Sequence, residues 1–296
     1  MLSPSTASAA KTSRTRLETN AMLAAIPTEH LIALLVLLAA AGLLAGFLSG
    51  LLGIGGGGVL VPVLYEVFGV AGVPEDVRMH VTLGTTLGVI APTVFRSFSA
   101  FRARGTVDID VVKRMGPWIF LGVIAGIIIA YYASSEALRW IWVVFGTALA
   151  AKMYLGRDDW RIGDKLPRPP WLEGAAAIIG LISTLMGIGG ATFTVPLLTL
   201  YGMPLLKAVG TATGIGTVIA VPGIAGYIIS GWGEPNLPPL SLGYVNLGAC
   251  VIAPLAVLTA PWGVKVAHGI SKRKLELAFA VFITTVVARF LWTLLH

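Results

Sequence analysis

GLLGIGGGGVLVP, residues 50–62, sets six glycines and a proline directly behind a long apolar run. A membrane-crossing helix should continue there, yet consecutive glycines weaken a helix by roughly 1 kcal/mol each relative to alanine. Helix packing alone does not ask for so much, because small residues placed singly already let membrane helices approach closely. The helix is therefore expected to break over Gly53 to Gly58.

The phrase returns far down the chain. GFLSGLLGIGGGGVLVPVL, starting at Gly46, aligns without a gap on GLISTLMGIGGATFTVPLL, starting at Gly180. The alignment pairs Ser49 with Ser183, Gly53 with Gly187, Gly55 with Gly189, Gly56 with Gly190 and Pro62 with Pro196. After a shorter connection, LGTTLGV (83–89) matches VGTATGI (209–215), so Gly84-Thr85 corresponds to Gly210-Thr211. The chain is an internal duplication. Each half carries a Gly-broken apolar segment, a Gly-Thr helix and two plainer spans.

Composition sets the class. Hydrophobic residues make up 56% and charged residues 12% of 296, with a mean hydropathy of +0.86, against the roughly 25% charged residues of a soluble domain. Stretches able to span a bilayer, which takes about 20 helical residues, lie at 31–51, 79–101, 115–132, 138–156, 173–186, 208–230, 243–264 and 274–295. The expected fold class is all-α, a polytopic membrane protein. A polar, disordered tail covers residues 1–30, repeat 1 covers 31–156, a cytoplasmic linker 157–171 and repeat 2 172–296. The net charge of +7 comes from Lys and Arg dispersed over loops and helix ends, which argues against nucleic acid as a partner. The single cysteine, Cys250, leaves no intramolecular disulfide. The literal match of Gly53 to Gly58 to a dinucleotide fingerprint means little, because it follows a membrane span and not a strand.

Loop charges choose between parallel and inverted halves. If each broken segment crossed once, the loop with Lys265, Lys272, Arg273 and Lys274 would lie outside and the loop 231–242, which has no Lys or Arg, inside. That violates the positive-inside rule twice. If each segment enters and returns as a hairpin, the basic loops at Arg102 to Arg114, Lys152 to Arg168 and Lys265 to Lys274 all face the cytoplasm. Only the tail with Lys11, Arg14 and Arg16 objects, and it sits well upstream of the first span. Two inverted repeats, each a Gly-broken hairpin plus three transmembrane helices, are expected, with eight simple crossings as the alternative.

Inversion gives the breaks a purpose. Carriers built this way hold their solute near the midplane, where broken helices expose backbone groups. A helix N-terminus carries about half a positive charge and unpaired N–H groups, so it attracts an anion. Such backbone is tolerated at depth only around a cavity or within protein. The candidate substrate contacts are Ser49, Gly53, Gly55, Gly56 and Gly57 in the first half and Ser183, Gly187, Gly189 and Gly190 in the second. Thr85, Thr86, Thr211 and Thr213, on otherwise apolar helices, are candidate hydroxyl donors, although such hydroxyls also bond to the preceding turn. Arg96 is a candidate for the anion path, against its alternative as a snorkelling helix-end arginine. Neither buried carboxylate pairs nor histidine clusters mark an enzyme or a metal site, and no cofactor is expected.

These phrases, with LGTTLGVIAPTVFRSFSAFRARGTVD (83–108) and AVGTATGI (208–215), resemble the sulfite exporter TauE/SafE family over about residues 31–295. The resemblance implies a permease for small sulfur-containing or carboxylate anions, such as sulfite, sulfoacetate or other organosulfonates, in the bacterial inner membrane. The sequence departs from the family's commoner pattern at Thr85-Thr86 and at Ala191-Thr192, leaving room for a different contact at the second hairpin. The expectation is a secondary transporter for a small oxyanion working by alternating access. The alternatives are an ion-coupled carboxylate transporter and an anion channel. The partners are then the anionic solute and the lipid bilayer. The sequence leaves open a proton or sodium as coupling ion and a monomer or homodimer as assembly.

Overall fold

The computed structural model describes residues 39–40, 42–44, 46–47, 56–155, 162–163, 166–167, 169–250, 252–267 and 272–295. The helices belong to the unit Ala41–His296. Its elements are α1 (Gly57–Val70), α2 (Glu75–Ala103), α3 (Ile109–Tyr132), α4 (Ser135–Leu155), α5 (Trp171–Met186), α6 (Ala191–Leu200) and α7 (Leu205–Ser230). After them come β1 (Ser241–Leu242), β2 (Val245–Asn246), α8 (Leu247–Cys250), α9 (Ile252–Ala267) and α10 (Lys272–Leu295). The protein is an all-α membrane protein; among the described residues, one two-residue antiparallel ladder pairs Ser241 with Asn246 and Leu242 with Val245.

Among the described residues, five helices are long and apolar enough to cross a membrane: α2, α3, α4, α7 and the Glu276–Leu295 part of α10. α1 has 14 residues and α6 has 10, so at 1.5 Å per residue they reach only about 21 and 15 Å, short of the ~30 Å hydrocarbon core. The predicted span 243–264 is divided. Its start forms β2 and α8, and α9 carries the rest.

Hydrogen bonds and ion pairs fix which helix ends share a side. At one end, Asp108 before α3 meets Lys207 of α7 at 2.8 Å, and Arg114 of α3 meets Glu173 at the start of α5 at 3.7 Å. The Ile162 amide donates to Leu200 O at the end of α6 (2.9 Å), and Arg114 donates to Pro167 O. The start of α5 and the end of α6 thus lie together, and α5 and α6 form a hairpin.

At the opposite end, the Arg78 guanidinium of α2 donates to Val73 O, just beyond α1. His80 Nε2 bonds Ala130 O and Ala133 O at the end of α3, and Arg139 of α4 pairs with Glu75 at 2.6 Å. His80 stacks on Tyr244 (4.9 Å), whose amide donates to Tyr227 O near the end of α7. The helical residues ahead of α1 run alongside α9. Gly42 abuts Ile252, Gly46 abuts Ala256, and the Thr259 hydroxyl donates to Leu43 O at 2.8 Å.

The halves interlock. α3, from the first half, packs into α5, α6 and α7 through Val111, Met115, Ile119 and Val123 against Leu172, Ala176, Ile179, Leu198, Ile215 and Ile219. Glycines let α3 and α5 touch backbone to backbone. A Cβ on Gly122 would strike Ala177 O, and one on Gly180 would strike Ile119 O.

Candidate functional site

The second break is built from local rules. α5 closes on Gly187 in the left-handed conformation (φ 65°), with the Ile188 amide donating to Ser183 O (2.9 Å) and the Gly187 amide to Thr184 O (3.3 Å). That is a Schellman motif, which favours glycine because L-residues resist positive φ. Gly190, also at positive φ (76°), then caps α6. Its counterpart in the duplicated phrase, Gly56, caps α1 at φ 71°. The alignment made from the sequence therefore pairs two helix starts of the same geometry.

The two breaks touch. A Cβ on Gly57 would lie 2.8 Å from both Gly187 O and Ile188 Cα. Gly189 lies against Ile90, near the midpoint of α2, and its carbonyl faces Gly216, near the midpoint of α7. Both breaks therefore sit at mid-depth in the bundle. Beside them is a cavity of about 190 Å³ lined by Gly56, Gly189 and Ala191, by Thr93, Ser97 and Thr213, and otherwise by apolar side chains such as Leu60 and Ile90.

The N-termini of α1 and α6 both open onto this cavity. The first intrahelical bonds come from Val59 and Leu60 to Gly56 O and from Phe193 and Thr194 to Gly190 O. Among the described residues, the amides of Gly57, Gly58 and Ala191 have no protein acceptor, as the geometry of a helix start dictates. No Lys, Arg, His, Asp or Glu is among the described lining residues, so positive potential in the cavity comes from backbone dipoles.

The predicted contacts divide. Gly56, Gly189 and Thr213 line the cavity, and Gly57 and Gly190 adjoin it in the chain. Thr213 donates its hydroxyl proton to Gly210 O at 2.6 Å. Thr86 is fully buried and donates to Thr82 O. Ser183, in the last turn of α5, is fully buried with no partner for its hydroxyl. Gly187 closes α5 and packs against Leu83 and Val61. Arg96 is exposed on α2 and is not among the lining residues. Ser49, Gly53 and Gly55 lie outside the described residues.

Thr85 and Thr211 form a matched pair of latches. Thr85 accepts from the Asn246 amide at 2.9 Å, and Thr211 accepts from the Asp108 amide at 2.9 Å. Each acceptor sits on a Gly-Thr helix, and each donor caps the next helix of the other half. Asn246 Oδ1 takes the Ala249 amide as Asp108 Oδ1 takes the Val111 amide. The glycines alongside match as well. A Cβ on Gly84 would lie 2.6 Å from Tyr244 O, and one on Gly210 would lie 2.7 Å from Thr106 O.

A second duplicated phrase underlies this pairing: Gly105-Thr106-Val107-Asp108 corresponds to Gly243-Tyr244-Val245-Asn246, with both glycines at positive φ. Asp108 and Asn246 were missed by the sequence reading, as were Thr93 and Ser97. The recurring G-x-V-[D/N] was the available signal for the first two. The latches differ in charge. The Lys207 ammonium bonded to Asp108 is the main cause holding its carboxyl below the usual carboxylate range.

A helical membrane protein with two broken helices whose starts converge on a mid-depth cavity has the form of a membrane transporter. The sulfite exporter TauE/SafE family model matches residues 38–290, and the chain belongs to that family. It is 33% identical over 247 residues to a probable membrane transporter protein of Haemophilus influenzae, covering 83% of this chain and 93% of that one. It is 25% identical over 251 residues to a probable membrane transporter protein of Methanocaldococcus jannaschii, covering 82% and 90%. No solved structure matches the chain.

Proposed function

We propose that this transporter is a secondary carrier for a small oxyanion, sulfite or a short organosulfonate, bound where the starts of α1 and α6 meet. The observation that carries the reading is the convergence of Gly56 and Ala191 on one cavity with no charged side chain in its described lining. Unpaired amides of Gly57, Gly58 and Ala191 would receive the oxyanion's oxygens. Ser97, which lines the cavity, would add a hydroxyl donor from α2. In this reading Thr85 and Thr211 hold the frame that aims the helix ends.

Alternating access would arise from two inverted repeats. The hairpin of α5 and α6 enters from the side of Arg102, Arg104, Lys113 and Arg114, which the positive-inside rule assigns to the cytoplasm. α1 ends on the opposite side, that of Glu75, Asp76 and Glu234. Rocking one half against the other would then expose the same cavity to either side. The membrane would be the bacterial inner membrane.

The test is counterflow in proteoliposomes preloaded with sulfite, sulfoacetate, taurine, isethionate or lactate. Saturable exchange of at least one sulfur oxyanion, lost on Gly190→Leu in protein that still inserts and remains monodisperse, is the expected result. A flux that rises linearly with concentration and shows no counterflow would mean a channel.

A further inference from the structure

We infer that the break between α5 and α6 also holds a monovalent cation of the sodium class, bound by the hydroxyls of Ser183 and Thr194 with backbone carbonyls freed where α5 ends. The site adjoins the anion's amides, because Gly187 O lies against Gly57. Its role in coupling rests on the carrier reading; its existence does not.

Two hydroxyls break the habit of the rest of the bundle. Other buried threonines are partnered: Thr82 donates to Arg78 O, Thr86 to Thr82 O and Thr184 to Gly180 O, and Thr85 and Thr211 accept backbone amides. Ser183 and Thr194 are both 0% exposed, and neither hydroxyl has a partner. A buried polar group without a protein partner calls for a water or an ion. Both lie about one turn from the same break, Ser183 before Gly187 and Thr194 after Gly190.

Helix periodicity puts each on the face of its helix that meets one shared core. Leu172, Ala176 and Ile179 of α5 share one core with Leu198 of α6. Ser183 is the next member of the α5 row, four residues past Ile179, and Thr194 is four residues before Leu198 on the α6 row. Since α5 and α6 form a hairpin, the two hydroxyls end their rows at matching depth.

The carbonyls around them are partly spoken for. Ser183 O takes the Ile188 amide and Thr184 O the Gly187 amide, Thr184 O also takes the Tyr227 hydroxyl, and Met186 O takes the Trp142 indole N–H. The carbonyls of Leu185 and Gly187 receive no donor among the described residues. They stand at a helix C-terminus, the negative end of its dipole. Unwound carbonyls and half-helix C-termini are where carriers hold sodium.

The donor set selects the ion. All the oxygens are neutral, and no group of three His, Cys, Asp or Glu converges among the described residues. Calcium and magnesium sites are built on carboxylates, so a hard monovalent cation fits this set. The duplication also limits the count. Thr194 aligns with Leu60, so the first half cannot build the same site, and one ion per chain is the result.

The experiment is equilibrium binding of ²²Na⁺ to the purified full-length protein, which needs no knowledge of the anion. Saturable binding of one ion, displaced by unlabelled sodium but not by equal potassium, is expected. Ser183→Ala with Thr194→Val should weaken it at least tenfold at unchanged melting temperature and monodispersity. Thr194→Ser should retain it, as should Thr199→Val, because Thr199 already bonds Val195 O and Pro196 O. Absence of saturable binding by the wild type, or wild-type affinity in the double variant, overturns the inference. Sodium-free counterflow separates it from the carrier reading. Full anion exchange in choline medium without sodium binding defeats the cation site alone, and sodium binding without any anion exchange supports the site while defeating the carrier.

Discussion

Gly57→Ala is the sharpest test of the contact between the two breaks. The added Cβ would lie 2.8 Å from Gly187 O and from Ile188 Cα, both backbone atoms, whereas ordinary contact begins at 3.4 Å. Neither neighbour can rotate aside, so the breaks must part by several tenths of an ångström. Overpacking of this kind costs about 1–3 kcal/mol, partly offset by the roughly 1 kcal/mol that alanine gains over glycine in a helix. The net loss of stability should thus be about 0–2 kcal/mol, and the protein should fold. Transport should suffer far more, because displacing binding groups by even ~1 Å can cost up to about a hundredfold. We expect counterflow to drop about tenfold or more. Gly116→Ala on α3 is the control. Its Cβ would meet nothing within 4 Å, so exchange should stay within about threefold of wild type. Wild-type counterflow in a folded Gly57→Ala protein would refute the idea that the two interruptions form one site.

Three further outcomes rest on the same geometry. Thr85→Val and Thr211→Val each strand a backbone amide, that of Asn246 or Asp108, and should each lower stability by about 1–3 kcal/mol, read as thermal unfolding in detergent; an unchanged melting temperature in both would show that the latches bear no load. Because Lys207 depresses the Asp108 carboxyl, the stability this pair contributes is fully present above the unfolded value near 3.9 and is lost as pH falls below it through the folded value. Asp108→Asn should therefore flatten the acid limb of a stability profile below about pH 4, and a profile identical to wild type would exclude the ion pair as its cause. Ser97→Ala should raise the half-saturating substrate concentration without changing the melting temperature, and unaltered kinetics would remove Ser97 from the site.

The duplication could be read from the sequence because it rests on glycines at positions where only they fit. Gly56 and Gly190, paired by the aligned phrases, cap helices at positive φ, whereas Gly57 and Gly58, expected to fall within the break, belong to α1. The hydroxyls were harder. Thr85 and Thr211 stood out as a repeated pair, but a threonine on an apolar helix looks the same whether it meets a solute or a neighbouring amide. What distinguishes them is the partner more than a hundred residues away, and that needs the interlocked packing of α3 against α7. Asp108 and Asn246 were hidden for a related reason. One is charged and the other neutral, so the eye passes over a match that the backbone treats as the same cap. Ser97 was invisible because nothing repeats at its position; only the depth of the cavity along α2 picks it out.

Charge balance links the two proposed sites and gives a last test. Each helix start presents about half a positive charge, so α1 and α6 together offset roughly one negative charge in a cavity whose described lining has no charged side chain. A monoanion would be held there without leaving net charge, but moving it alone would still carry one charge through the membrane, since the helix dipoles stay with the protein. A sodium ion beside it, at Ser183 and Thr194, would travel with the anion and cancel that charge. Transport of a monoanion with one sodium should then be electroneutral. The alternative is easy to distinguish by size, because one uncompensated charge is worth about 2.3 kcal/mol per 100 mV, a roughly fiftyfold accumulation ratio. In proteoliposomes clamped at about 100 mV of either sign with potassium and valinomycin, the steady accumulation of a singly charged sulfonate should therefore change by less than about twofold. A ratio that follows the imposed voltage by tens of fold would break the pairing of anion and cation, even if both bind.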